Sequence, residues 1–164
     1  MKLSINGLAS SSLRLVYLLI GLLVVSSCDG DRIYKKFDRD FNASRWPKDE
    51  VHSYSFNIPS DGNYDLLVHF SHVYDSPLAT IPLKLTIGKP SGENELIDVI
   101  LRLRDADGKQ LADCTGDYCD FKQEVFRSRK LPAGNYTLKL RNDFNFAYLP
   151  NVLGVGIEVR KSHQ

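Results

Sequence analysis

From Val51 onward, apolar and polar residues alternate with a period of two, the mark of strands with one buried face. His52, Tyr54, Phe56 and Ile58 share a face against Val51, Ser53, Ser55 and Asn57. Tyr64, Leu66, Val68 and Phe70 lie opposite Asp65, Leu67, His69 and Ser71. The pattern returns at Ile81, Leu83, Leu85 and Ile87, where Pro82 marks a strand end or an edge. It returns again at Ile97, Val99, Leu101 and Leu103, at Tyr136, Leu138 and Leu140, and at Leu153, Val155, Ile157 and Val159. Residues 119–127 alternate poorly and make a weaker strand. Pro59-Ser60-Asp61-Gly62-Asn63, Asp105-Ala106-Asp107-Gly108 and Leu131-Pro132-Ala133-Gly134-Asn135 supply the turns. The pattern predicts about seven antiparallel strands, and a sheet with one apolar face needs a second sheet to cover it. An all-β, antiparallel β-sandwich is therefore expected over residues 51–164, as one domain.

The start of the chain obeys a different rule. Lys2 and Arg14 precede an unbroken apolar run from Leu15 to Val25, too short for a membrane span of about 20 residues but right for a secretion signal. Val25-Ser26-Ser27-Cys28 resembles the lipobox of bacterial lipoproteins, with an aliphatic residue three before the cysteine and small residues at the cleaved bond. Residues 1–27 are thus expected to be a lipoprotein signal peptide, and Cys28 the lipidated first residue of the mature chain. Residues 28–50 crowd Arg32, Lys35, Lys36, Asp38, Arg39 and Asp40 together and are expected to form a tether. Tyr34, Phe37, Phe41 and Trp46 interrupt it, and side chains of that size usually pack onto something.

Charge and chemistry narrow the picture. Removing residues 1–27 takes two of the 21 basic residues and none of the 20 acidic ones, leaving 19 against 20, a net of −1. No basic stripe suggests nucleic acid. Cys114 and Cys119 flank Gly116 and would lie outside the cytoplasm, so a disulfide is expected over free thiols or a metal site; zinc would want four ligands. His69 and His72 lie three apart on a strand and should diverge to opposite faces, and His52 and His163 stand alone. Asp105-Ala106-Asp107-Gly108 lacks the spacing of a calcium loop and suits a hairpin turn better. No nucleophile elbow, zinc-protease helix or phosphate loop is found, so the expectation is a non-enzyme without cofactor or metal.

Phe144-Asn145-Phe146-Ala147-Tyr148 places three aromatics on one side of an extended segment, either facing the core or forming an exposed platform. Asn142-Asp143 is a turn that would reset the register, so Phe144 is expected to be structural and Phe146 or Tyr148 exposed. Trp46, Phe146 and Tyr148 are the candidate binding residues, for a protein partner or, alternatively, for carbohydrate.

The mature sequence resembles the GldH-like gliding-motility lipoprotein family. The likeness runs through Cys28-Asp29, Arg32-Ile33-Tyr34, Trp46-Pro47-Lys48-Asp49 and Phe56-Asn57-Ile58. It continues in Tyr64-Asp65-Leu66, in Leu103–Gly108 with Gly116 following, in Leu131–Tyr136, and in Leu153–Lys161. The segment Arg141–Phe146 departs from the family pattern. The resemblance implies an envelope lipoprotein associated with gliding motility and its secretion machinery, with envelope-protein partners and no catalytic residues. The lipid would hold it to a membrane, expected to be the outer membrane with the domain facing the periplasm.

Overall fold

The computed structural model describes residues 31–162; the expected signal peptide, the lipid-bearing Cys28 and His163 lie outside the described residues. Eleven strands follow one another: β1 (Arg32–Asp38), β2 (Arg45–Pro47), β3 (His52–Ile58), β4 (Gly62–Val73), β5 (Thr80–Gly88), β6 (Asn94–Arg102), β7 (Asp113–Thr115), β8 (Tyr118–Leu131), β9 (Gly134–Asn142), β10 (Tyr148–Pro150) and β11 (Val152–Lys161). They form a five-stranded sheet, β1-β11-β4-β8-β7, and a four-stranded sheet, β3-β9-β5-β6, with a two-stranded ribbon of β10 and β2. Every pairing is antiparallel. Following the long strands along the chain, only β5 and β6 pair as consecutive neighbours; every other step crosses to the opposite sheet. Two sheets joined in this way make a jelly-roll sandwich.

The core is the inward set that the period of two anticipates. Tyr64, Leu66, Val68 and Phe70 of β4 face Leu83, Leu85, Leu138 and Leu140 of the other sheet, all buried. Pro82 does not end a strand: it is the third residue of β5 and pairs with Ile100 of β6, just before the β5–β9 ladder begins at Leu83↔Asn142. In β11 the register shifts between Val152 and Gly154, so Val152 takes the core position and Leu153 is only half-buried. Two shifts in the β4–β8 pairing explain the poor alternation over residues 119–127, because each bulge adds a residue and swaps faces. Ser128 takes a positive φ of 48° at the end of this region, and the Asp65 carboxylate accepts its N–H at 2.8 Å.

The region expected as a tether is already structured at Arg32. Lys35, Lys36, Phe37 and Asp38 pair with Glu158, Ile157, Gly156 and Val155, making β1 the edge strand of the larger sheet. Its charged side chains suit an edge, where they discourage further pairing. Phe37 lies over Gly154 and Gly156, and a Cβ at Gly156 would collide with the Lys36 carbonyl. These two glycines therefore let a ring cover the outer face of β11.

The strands define two ends. The near end holds the start of β1, the end of β11 and the tight turns 59–61, 89–93 and 132–133. Two tyrosines lock it: Tyr64 O–H donates to Ser60 O at 2.7 Å, and Tyr136 O–H to Pro132 O at 3.0 Å. Asp61 accepts the Ala133 N–H at 2.7 Å, joining two of the turns. The far end holds β2, β7, β10 and the long connections 39–51, 103–117 and 143–151.

Candidate functional site

The aromatic ledge at the far end is built from its mount outward. Asn142, wholly buried, closes β9 and donates its amide to Trp46 O at 3.2 Å and Pro47 O at 3.0 Å. Its Oδ1 accepts the Phe144 N–H at 3.4 Å, so one side chain fixes both segments of the ledge. Trp46 pairs with Leu149 across the β2–β10 ribbon, and both point inward and are wholly buried. The neighbours in that ribbon, Arg45 and Tyr148, consequently point outward. The Arg45 guanidinium stacks over the Tyr148 ring at 4.5 Å. Phe144 packs against the core and contacts Phe146 at 5.4 Å with ring planes 49° apart. Phe146 itself is 70% exposed and Tyr148 36%.

These facts sort the three candidate binding residues. Phe146 and Tyr148 reach solvent, beside a shallow hollow of about 420 Å³ shared with Phe144, Ala147 and Pro150. Trp46 does not: its ring is edge-on to His52 at 5.2 Å and Phe41 at 6.0 Å, and its Nε1–H donates to Glu50 O at 3.1 Å. No face of it is left for a sugar, so Trp46 is corrected from a platform to a core residue. Beyond Tyr148 a second hollow of about 330 Å³ carries Asp40, Asn42, Arg45 and Glu50, giving the apolar ledge a polar rim.

A polar cluster occupies the outer face of the five-stranded sheet. Tyr118 O–H donates to Ser71 Oγ at 2.9 Å, Ser71 O–H donates to Asp120 Oδ1, and His69 Nε2 meets the same oxygen at 2.8 Å. Burial pushes the Asp120 carboxyl up, but the hydrogen bonds from Ser71 and His69 outweigh it and hold it below the usual range. Burial pushes the His69 imidazole down, against the pull of Asp120. A neutral His69 donates from Nε2, and Phe37 stacks on its ring at 4.2 Å. His72, three residues on, turns inward to the Val73 carbonyl at 2.8 Å, so the two imidazoles diverge. His52 is not alone: Asp38 lies at 3.0 Å from Nδ1 and Glu50 at 3.2 Å from Nε2.

On the same face sits Glu158, 1% exposed, with Arg160 Nε at 2.6 Å, Lys122 Nζ at 3.2 Å and Arg32 Nε at 3.2 Å. Burial raises its pKa, but hydrogen bonds from Arg160 and Lys122 and their charges prevail and hold it at about 2. Apart from Arg160, two residues on in β11, nothing local in the sequence marks this knot, whose other arms come from β1 and β8. Cys114 and Cys119 are bonded across the β7–β8 hairpin, with Gly116 at φ +59° in the turn between them. Asp105 Oδ1 accepts the N–H groups of Asp107 and Lys109 at 3.0 and 2.8 Å, which makes its loop a capped turn.

Strand order and site together define a jelly-roll domain with an aromatic ledge at its far end. The family model described as GldH lipoprotein matches residues 32–159, and the chain belongs to that family. Membership makes it a lipid-anchored cell-envelope protein of the gliding-motility type. No curated protein matches the chain. Among solved structures, the Eiger TNF of S. frugiperda is similar at TM-score 0.44 and 15% identity, covering 82% of this chain and 94% of that one. The infectious bursal disease virus VP2 subviral particle is similar at TM-score 0.39 and 14% identity, over 82% of this chain and 33% of that one. A family 35 carbohydrate binding module from Clostridium thermocellum gives TM-score 0.35 and 14% identity, over 74% of this chain and 97% of that one. None of these similarities bears on what the chain binds.

Proposed function

We propose that this protein is a non-catalytic component of an envelope assembly, lipid-anchored through Cys28 to the outer membrane and facing the periplasm, which engages a protein partner through Phe146 and Tyr148. The observation that carries this reading is the exposure of Phe146 on a fixed mount. Asn142 holds the segment before Phe146 and the Trp46–Leu149 pair the segment after it, so the backbone between them loses little freedom on docking, and Tyr148 with its stacked Arg45 adds residue types that dominate interface energetics. An apolar patch with a polar rim suits a protein surface. A sugar platform prefers aromatic faces presented together, and the Phe144 and Phe146 planes stand 49° apart. In the outer-face cluster the Ser71 hydroxyl donates to the Asp120 carboxylate, held below its usual range, and not to the His69 imidazole, which differs from the serine–histidine pairing of a nucleophilic site.

Affinity capture of the native protein from detergent-solubilised membranes, compared with Phe146→Ala and Tyr148→Ala, tests the reading. Each substitution is expected to weaken recovery of the partner by about tenfold, the equivalent of roughly 1.4 kcal/mol, while the fold persists. Unchanged recovery from both folded variants would contradict it, and binding of an oligosaccharide array lost in both would replace the protein partner with a glycan.

A further inference from the structure

We infer that the sandwich stands on the lipid surface on its near end, holding the aromatic ledge at the far end away from the bilayer. The inference rests on the lipid at Cys28 proposed above. It follows from where β1 begins. Pairing of β1 with β11 starts at Arg32↔Arg160, and the Lys161 N–H donates to Asp31 O at 2.7 Å, so the chain is fixed to the sheet from Asp31. Only three residues, Cys28 to Gly30, then separate the lipid from the sheet, a reach of at most about 11 Å when fully extended. The far end lies a strand length away: β11 has 10 residues, about 33 Å at the rise of an antiparallel strand. A tether shorter than the domain cannot let the far end stand on the membrane with the near end held away from it. It selects the end where it enters.

The chemistry of the near end suits phosphate headgroups. Lys130 and Lys161 line a hollow of about 480 Å³ with Asp61, Asn63 and Ser162. Neither lysine has an ion-pair partner among the described residues. The acids around them are engaged within the protein. Asp61 accepts from Ala133 and Asp65 from Ser128 and Ser162, while Glu95 pairs with Arg129 at 2.7 Å and Lys89 at 3.1 Å. Asp61, which lines the hollow itself, and Glu93, in the 89–93 turn, are exposed acids of this end. No large apolar side chain is exposed in the near-end turns. Val51, Tyr74, Leu111, Phe146 and Tyr148 are all exposed at the far end, and Leu96 and Ile100 lie along β6. The two ends are thus suited to different neighbours, a polar headgroup layer and a protein.

The test uses the full lipidated protein in vesicles of phosphatidylethanolamine and phosphatidylglycerol whose headgroups carry a nitroxide quencher. With Cys114 and Cys119 bonded and Cys28 alkylated by lipid, an introduced cysteine is the free thiol for a fluorophore. Ser91→Cys labels the near end and Asn145→Cys the far end; both positions are exposed. Co-flotation with the vesicles reports the anchor, and quenching reports the orientation. The expected result is flotation of both variants with several-fold stronger quenching at position 91. A long Gly-Ser insertion after Gly30 should bring the two labels toward equal quenching. Flotation with equal quenching before the insertion, or stronger quenching at position 145, would overturn the orientation while leaving the anchor intact. Failure to float would overturn the anchor and the orientation with it.

Discussion

The two ends of the sandwich hold themselves together by different means. At the near end, short turns are pinned by directed polar bonds: Tyr64 to Ser60, Tyr136 to Pro132, Asp61 to Ala133, and above them three cations around Glu158. At the far end, long connections are pinned by buried aromatic surface, with Trp46 and Leu149 as anchors and a disulfide across β7 and β8. The near end thus closes its turns with its own tyrosines and Asp61, and leaves Lys130 and Lys161 turned to the surface. The far end sinks one side of its ribbon into the core, and alternation in a strand sends the other side out to solvent. An exposed aromatic on a rigid support results from that second arrangement and not from the first.

The contrast can be broken most severely at the far-end anchor. Trp46→Ala should cost roughly 3–5 kcal/mol in urea unfolding, as removal of a wholly buried ring does, whereas Phe146→Ala should change stability by less than about 0.5 kcal/mol. Similar losses for the two would erase the distinction between mount and ledge. At the near end the lever is pH. Glu158 has a folded pKa of about 2 against an ordinary value of 4.5, so its contribution is fully present above 4.5 and is lost as pH falls toward 2. Between those values the protein should lose on the order of 2–3 kcal/mol more than a Glu158→Gln variant does, measured by unfolding at a series of pH values. Parallel pH curves for the two proteins would contradict the charge knot. A smaller loss than at Trp46 or Glu158 is expected at the disulfide, which closes a short loop: reduction, or Cys114→Ser with Cys119→Ser, should cost about 2 kcal/mol and leave the near end protected from hydrogen exchange.

Periodicity is a sound guide for β3, β5, β6 and β9, which pair without a shift, for β4, where the extra residues lie on its partner β8, and for β11 from Val155 onward. It failed at β1, where Lys35, Lys36 and Asp38 protect an edge and disguise a strand as a charged linker. It weakened at β8, where bulges shift the faces. The site was half legible. The Asn142-Asp143 break separates Phe144, packed on the core, from the exposed Phe146. Trp46 was misread because its burial depends on Leu149, about a hundred residues away in the chain, and on the amide of Asn142. The Glu158 knot and the Asp120 cluster likewise depend on distant partners: Arg32 and Lys122 lie 126 and 36 residues from Glu158, and His69 lies 51 from Asp120, with only Arg160 local to Glu158. No local pattern can announce such partners, because only the sheet order makes them neighbours.

Site-specific photo-crosslinking in intact cells tests the central claim most directly. A photoreactive phenylalanine in place of Phe146 should yield a discrete cross-linked protein adduct, and the same group at Ser91 should yield lipid adducts or none. A protein adduct from position 91 with none from position 146 would contradict the account.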